Sequence, residues 1–351
     1  MTGFWQGRRV LVTGHTGFKG AWLCLWMERL GAEVVAMGLA PQSTPALYDI
    51  LAPWPGQTHR LVDVRDGAAV LDLVREAEPE IVLHLAAQAL VRRSYAAPTE
   101  TFATNVMGTV NLLEAVRLVD GVKAVVVVTS DKVYENDGAG RAFREADGVG
   151  GKDPYSNSKA CAELVCRSYR DSFFGDDGPA LATARAGNVV GGGDWSEDRL
   201  IPDFVRALAA GDAVRLRYPQ AVRPWQHVLE PLAGYLDLAQ ALVERRGQAP
   251  EAVNFGPDPA SFASVAEIVE GLGAAFGNDA PWQPAPGPHP PEAATLTLRS
   301  ELAGERLGWQ PRLAMDETIA WTADWYKAHR DGADMRAFSR AQIDRYEELR
   351  Q

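Results

Sequence analysis

Short apolar runs recur through the first half of this chain at residues 10–13, 33–37, 81–85, 125–129 and 181–184. Helical stretches at 22–30, 68–77, 100–119 and 158–173 separate them. Valine-rich runs without polar alternation read as strands covered on both faces. Strands alternating with helices predict βαβ units, and so an α/β fold with a doubly wound parallel sheet of the Rossmann type. Right-handed crossovers then carry the C-terminal end of every strand to one edge, where open α/β sheets bind ligands. Thr13 with Gly14, Leu85 to Ala87, and Thr129 to Lys132 are expected to meet there.

After about Asn188 the rhythm breaks. "GNVVGGGDW" is a glycine-rich loop, and the proline-rich stretch 281–293 cannot be a helix. Helices expected at 200–210, 230–245, 264–276 and 316–330 suggest a smaller, mostly helical substrate domain. The stretches 232–243 and 252–255 read as one more helix and strand of the first domain. The expected division is therefore 1–188 with about 228–256 for the dinucleotide, and 189–227 with 257–351 for the substrate. With 351 residues the chain exceeds one small core.

A net charge of −11 argues against a sequence-blind nucleic-acid binder, which needs a basic face. Three cysteines, Cys24, Cys161 and Cys166, have no C-x-x-C spacing and fit small reduced core residues of a cytoplasmic protein. No apolar run approaches the ~20 residues of a membrane span, and the first strand leaves no room for a signal peptide. His227 and His289 lack company of metal-ligand type, so no metal is expected.

"VLVTGHTGFKGAWLCLWME" follows the first strand and opens a helix, with Gly14, Gly17 and Gly20 spaced G-x-x-G-x-x-G. Such glycines permit a tight turn, let backbone approach a pyrophosphate, and allow close contact of helix and strand. The helix N-terminus adds free N–H groups and a positive dipole. The usual acid ending the second strand is missing from "VVAMGLAP", so this rule does not choose between NAD and NADP. His15 or Lys19 is a candidate for phosphate or ribose, and Asp63 for the adenine edge or a plain solvated turn.

In "DPYSNSKACAEL", Tyr155 stands four residues before Lys159 at a helix start, so the two share a face. A phenol is ordinarily a poor base at neutral pH, and a neighbouring ammonium favours its phenolate. Such a pair can take a hydroxyl proton while hydride leaves the same carbon. "VVVVTSDKVYEN" adds Ser130, Asp131 and Lys132 at the mouth of a core strand.

Gly14 to Gly20, "HLAAQ" at 84–88, Ser130, Tyr155 and Lys159 resemble the extended short-chain dehydrogenase/reductase superfamily. "GHTGFKG", "TSDKVYEN", "DPYSNSKACAELV", "RAGNVVGGGDWSEDRLIPD" and "RPWQHVLEPLAGYL" are more similar to its nucleotide-sugar 4,6-dehydratases of the CDP-glucose kind. The resemblance runs almost the whole chain, through "ERLGWQPR"; the spelling around His289 departs from it. It implies NAD, oxidised again each cycle and kept bound, lined by Gly14, His15, Thr16, Gly17, Phe18, Lys19, Gly20, Asp63, Val64, Leu85, Ala86, Ala87, Gln88, Asn105, Thr129, Tyr155 and Lys159. Lys132 is implied as the base that takes the C5 proton, Asp131 as the acid that protonates the departing C6 hydroxyl, and Ser130 as a donor to the C4 oxygen. An adjacent acid–base pair titrates as a unit, so the two roles are exchangeable.

For a nucleotide-sugar substrate, CDP-glucose by resemblance, Arg223 leads the diphosphate candidates, with Arg199, Arg215 and Arg217 behind it. Asn188 resembles the family's phosphate donor. Trp195 and Tyr218 offer faces for a pyrimidine, and His227 and His289 complete the candidates. The resemblance also implies a homodimer or tetramer built on helices 100–119 and 158–173, whose apolar Val106, Val110, Leu113, Leu164 and Val165 fit such a face or an ordinary core face. Rival readings are a dehydratase or 4-epimerase for another nucleotide sugar, and a non-catalytic dinucleotide sensor.

Overall fold

The computed structural model describes residues 2–175, 177–287 and 295–351, so His289 lies outside the described residues. Seven strands form one parallel sheet: β1 (Arg9–Thr13), β2 (Glu33–Gly38), β3 (Thr58–Leu61), β4 (Ile81–His84), β5 (Ala124–Val128), β6 (Ala180–Ala186) and β7 (Ala252–Phe255). Their order is β7-β6-β5-β4-β1-β2-β3. The order reverses between β1 and β4, paired from Val10 with Ile81 to Thr13 with His84, which places a crevice above those two strand ends. Every residue of β4, β5 and β6 is buried. β3 is half exposed, so its sequence carries no apolar run.

The long helices are α1 (Phe18–Leu30), α2 (Gly67–Ala77), α3 (Gly108–Leu118), α4 (Pro154–Phe173), α5 (Leu200–Ala210), α6 (Leu229–Glu244), α7 (Val265–Phe276), α8 (Met315–Arg330) and α9 (Met335–Leu349). The helix expected over 100–119 is broken. Pro98–Phe102 is α-helical, Ala103–Met107 is a π-helical turn, and α3 follows. A π-helical turn inserts an extra residue and commonly marks a functional position; here it carries Asn105. α4 starts on a capping box in which Asp153 accepts from Ser156 N and Ser156 Oγ accepts from Asp153 N, with Pro154 first in the helix.

One apolar cluster joins α1, β1, β6, α6, α8 and α9, so helices of the second half pack directly on the sheet layer. Leu113 and Val165 follow the core-face alternative. Leu113 is buried in the cluster between α2, α3 and the sheet, and Val165 packs against it. The large apolar side chains exposed on these helices are Phe102, Met107, Leu118, Leu164 and Phe173. Cys24 and Cys166 are buried, whereas Cys161 is only half-buried. Among the described residues no helix is long and apolar enough to cross a membrane.

Candidate active site

Two glycines of the loop after β1 are demanded by the fold. Gly14 has φ +77°, and a Cβ there would lie 2.7 Å from Ala86 N, so β1 and β4 end in contact. A Cβ on Gly20 would sit 2.1 Å from the Gly14 carbonyl, which sets how closely α1 approaches β1. Gly17, at the N-cap of α1, meets only the Gly14 carbonyl at 3.4 Å. Protein packing does not require that glycine. The bare backbone at an open helix N-terminus fits a dinucleotide pyrophosphate.

Below the loop the polar groups are fully assigned. Thr13 Oγ1 accepts from Leu85 N (3.1 Å) and Ala86 N (3.0 Å), so its proton goes to His84 Nδ1, 2.7 Å away. His84 must then carry its own proton on Nε2, facing Thr109 Oγ1 at 3.3 Å, whose hydroxyl donates to Asn105 O. Burial holds His84 neutral, its pKa lowered to about 3. Asn105 accepts from Gln88 N (2.8 Å) and donates to Gln88 O (3.0 Å) and Ser158 Oγ (2.9 Å). Its buried amide holds the post-β4 loop to α4. The Gln88 side chain is likewise engaged, with Leu90 and Thr101.

The His15 ring is buried, 5.2 Å from Tyr48 and 4.6 Å from His59, with neither ring nitrogen hydrogen-bonded. It is packed inside among these aromatic rings. Thr16 Oγ1 donates to Leu39 O (2.8 Å), tying the loop to the segment after β2. Asp63 is gripped by Arg65 through contacts of 2.6–3.0 Å, and Val64 is buried against Gly108. Lys19, half-buried, donates to the Tyr235 hydroxyl at 3.2 Å. Burial first, then the nearby Arg199 and Lys159 cations, lower its pKa to about 7, and Asp131 and Lys132 act on it too. That set of neighbours places Lys19 at the catalytic end of the crevice.

β5 delivers its C-terminal end into this region. Ser130 Oγ caps a single 3₁₀ turn, Asp131–Val133, by accepting from Lys132 N at 3.2 Å. Asp131 is buried; its Oδ1 accepts from Ser130 Oγ (3.0 Å) and Lys132 Nζ (3.2 Å), while Oδ2 has no partner. A Cβ on Gly187 would come within 3.1 Å of that Oδ2 and 2.4 Å of Pro224, so Gly187 keeps the space open. Lys132 is partly exposed and also faces Asn188 Oδ1 at 3.5 Å.

α4 brings the second pair. Tyr155 is buried, its backbone N–H donating to Ser94 Oγ (3.1 Å), and its hydroxyl makes no hydrogen bond to a described residue. Lys159 Nζ donates to Val128 O at 3.0 Å, and burial lowers its pKa to about 8. Thr129 Oγ1 points to Glu163 at 2.5 Å, a side-chain role that sequence reasoning did not assign. Tyr235 and Gly187 were also missed, although both lie in the stretches "RPWQHVLEPLAGYL" and "RAGNVVGGGDW".

The substrate candidates divide. Arg199 pairs with Asp194 (3.2 Å) beside this region, and Arg223 is buried, donating to Val222 O. Arg217 and Tyr218 are half-buried. Trp195 packs against Tyr326 at 5.3 Å and His329 at 5.4 Å, with its indole nitrogen buried and unpartnered. His227 needs correction: it is fully buried between Trp22 (6.4 Å) and Trp321 (5.7 Å), its pKa lowered by burial to about 3, and it lines no crevice. Among the described residues no group of three or more His, Cys, Asp or Glu side chains converges as a metal site.

Residues 10–256 match the family described as the NAD dependent epimerase/dehydratase family. The chain is 46% identical over 348 residues to the CDP-glucose 4,6-dehydratase of Salmonella typhimurium, covering 98% of this chain and 97% of that one. The UDP-glucose 4-epimerase of Thermus thermophilus, solved with NAD, superposes with a TM-score of 0.78 at 29% identity, covering 93% and 99% of the two chains. A double mutant of the dTDP-glucose 4,6-dehydratase of Streptomyces venezuelae, also with NAD, gives 0.79 at 25% identity over 93% and 99%.

Proposed function

The chain belongs to the NAD dependent epimerase/dehydratase family, and from that premise we propose that it is a nucleotide-sugar 4,6-dehydratase. It converts CDP-D-glucose to CDP-4-dehydro-6-deoxy-D-glucose and water. The observation that carries this reading is the Asp131–Lys132 pair, joined at 3.2 Å, with a buried carboxylate oxygen left unpartnered. A 4-epimerase has no elimination for such a pair to perform.

NAD, when bound, would supply the hydride acceptor for C4 of the hexose and the hydride donor for C6. Tyr155 receives the C4 hydroxyl proton, helped by the Lys159 ammonium, while Ser130 donates to the C4 oxygen. The C4 ketone acidifies the C5 proton, which neutral Lys132 removes; protonated Asp131 gives its proton to the departing C6 hydroxyl, which leaves as water, and regains one through solvent as Tyr155 gives up the proton it took from C4. Lys132 then returns a proton to C5. Gly14, Gly17 and Gly20 with the N-terminus of α1 hold the pyrophosphate, and Leu85, Ala86 and Ala87 line the adjoining strand end. Because NAD ends each cycle oxidised, catalytic amounts suffice, and we expect it to stay with the protein between turnovers.

Residues 1–188 with 228–256 make the dinucleotide half, and the remainder holds the nucleotide sugar. Arg223, Arg199, Arg217, Tyr218 and Asn188 remain our choices for it, while the packed Trp195 supports a base contact less directly. Exposed Phe102, Met107 and Leu164 fit a homodimer face, and the free thiols fit the cytoplasm. Incubation with CDP-, dTDP-, UDP- and GDP-glucose tests the proposal by mass. Loss of one water from the CDP sugar, abolished by Tyr155→Phe, supports it; epimerisation without water loss refutes it.

A further inference from the structure

Tyr155, Lys159 and Glu163 follow one another at four-residue intervals on α4 and share a face. The first two serve the oxidation at C4. The third faces inward without a chemical task. Glu163 is buried and accepts four hydrogen bonds: Thr129 Oγ1 (2.5 Å) and Arg185 Nε (2.9 Å) at Oε1, and Thr183 Oγ1 and Arg185 Nη2 (2.7 Å each) at Oε2. Arg185, on β6, uses its remaining Nη1 to donate to the Tyr134 hydroxyl (2.9 Å) and the Glu145 carbonyl (3.1 Å). The Tyr134 hydroxyl donates onward to Asn254 Oδ1 at 2.6 Å, and its ring stacks on Phe143 at 4.9 Å.

Thr129 and Tyr134 lie on either side of the Ser130–Asp131–Lys132 turn. Both are therefore tied to one ion pair that shows only 6% of either side chain to solvent. Such a pair is expensive, because desolvation can exceed the mutual attraction, and apolar side chains of similar volume fill a core at less cost. A planar guanidinium has the fork to span Glu163 and Tyr134 at once; a lysine ammonium does not. The oxidising half of the site has its own anchors: the Asp153 capping box, Ser94 on the Tyr155 backbone, and the Val128 carbonyl on Lys159.

We infer that Arg185 and Glu163 are positioning residues for the elimination half of the reaction, clamping both ends of the catalytic turn so that Asp131 and Lys132 meet C6 and C5 of the oxidised hexose. The inference rests on the dehydratase reading above. Proton transfer at a fixed carbon is sensitive to displacements of about 1 Å, so a loosened turn slows this step while oxidation at C4 continues.

The test uses the full-length protein with NAD, as wild type, Arg185→Lys and Tyr134→Phe. Single-turnover mixtures with CDP-D-glucose are quenched with borodeuteride, which traps any 4-keto hexose that still carries its C6 hydroxyl. Solvent deuterium entering C5 of the product is followed in parallel. The clamp predicts that both variants lose at least tenfold in kcat with KM little changed, and that both accumulate the trapped 4-keto hexose. Activity lost without accumulation overturns the inference, since a general structural defect slows oxidation equally. Undiminished turnover in Tyr134→Phe also overturns it. That variant removes one oxygen and decides the matter if Arg185→Lys does not fold. Wild-type protein that releases no water sinks the dehydratase reading itself, whereas dehydrating wild type beside unaffected variants sinks only the clamp.

Discussion

Replacing Lys159 by methionine should make the protein more stable and nearly inactive at once. The side chain is 5% exposed, and burial holds its pKa near 8 where a free lysine has 10.5. At about 1.36 kcal/mol per tenfold change in acidity, keeping the ammonium protonated in the fold at pH 7 costs roughly 3 kcal/mol. Methionine has similar length and no charge to bury. It loses the hydrogen bond to the Val128 carbonyl, about 1 kcal/mol, leaving a net gain of about 2 kcal/mol. The gain must depend on pH. Between 8 and 10.5 the unfolded chain holds more protons at this position than the fold, so wild-type stability rises with pH there and the variant's does not. Chemical denaturation without added NAD should show Lys159→Met ahead at pH 7 and level with wild type near pH 10. Turnover should fall by about 10²- to 10⁴-fold as Tyr155 loses its neighbouring cation. A variant less stable than wild type at pH 7, or a difference unchanged by pH, would refute the reasoning.

The loop glycines separate packing from ligand contact. Gly20→Ala forces a Cβ to 2.1 Å from a backbone carbonyl and should cost about 1–3 kcal/mol or more in a denaturation series. Gly17→Ala has room within the protein, so it should keep wild-type stability while NAD affinity, measured by calorimetry, falls at least tenfold. Buried His227, with pKa about 3, resists protonation that the unfolded chain accepts below about 6.5. Stability should therefore drop as pH falls from 6.5 toward 3, and His227→Leu should retain about 2 kcal/mol more of its neutral-pH stability at pH 5 than wild type does. An acid limb identical in the two proteins would count against that assignment.

What the sequence revealed followed from chemistry that repeats locally. The buried runs, the glycine spacing, the Tyr155–Lys159 interval and the Asp131–Lys132 pair each state their geometry within a few residues. Of the edge strand Thr58–Leu61 only the end, near Asp63, was legible, because half-exposed edge residues need no apolar pattern. The break in the helix before α3 was hidden because a π-helical turn keeps helical composition. α9 went unread because its mixed polar sequence buries few residues, Ile343 and Tyr346 among them. The hardest features join distant charges. Glu163 and Arg185 are 22 residues apart, and charged side chains ordinarily read as solvated, so nothing local signals that they meet in the interior. His15 and His227 misled for the opposite reason: polar rings in a motif suggest a ligand, yet tertiary packing enclosed both among aromatic side chains.

The central claim is that hydride from C4 is returned within the same molecule while Asp131 and Lys132 remove water between C5 and C6. CDP-D-glucose carrying deuterium at C4 and carbon-13 throughout the hexose, turned over in ordinary water in a mixture with unlabelled substrate, tests it directly. The account predicts deuterium at C6 of the carbon-13 4-keto-6-deoxy product and none in the unlabelled product. Label lost to solvent, left at C4, or scrambled between molecules would contradict it.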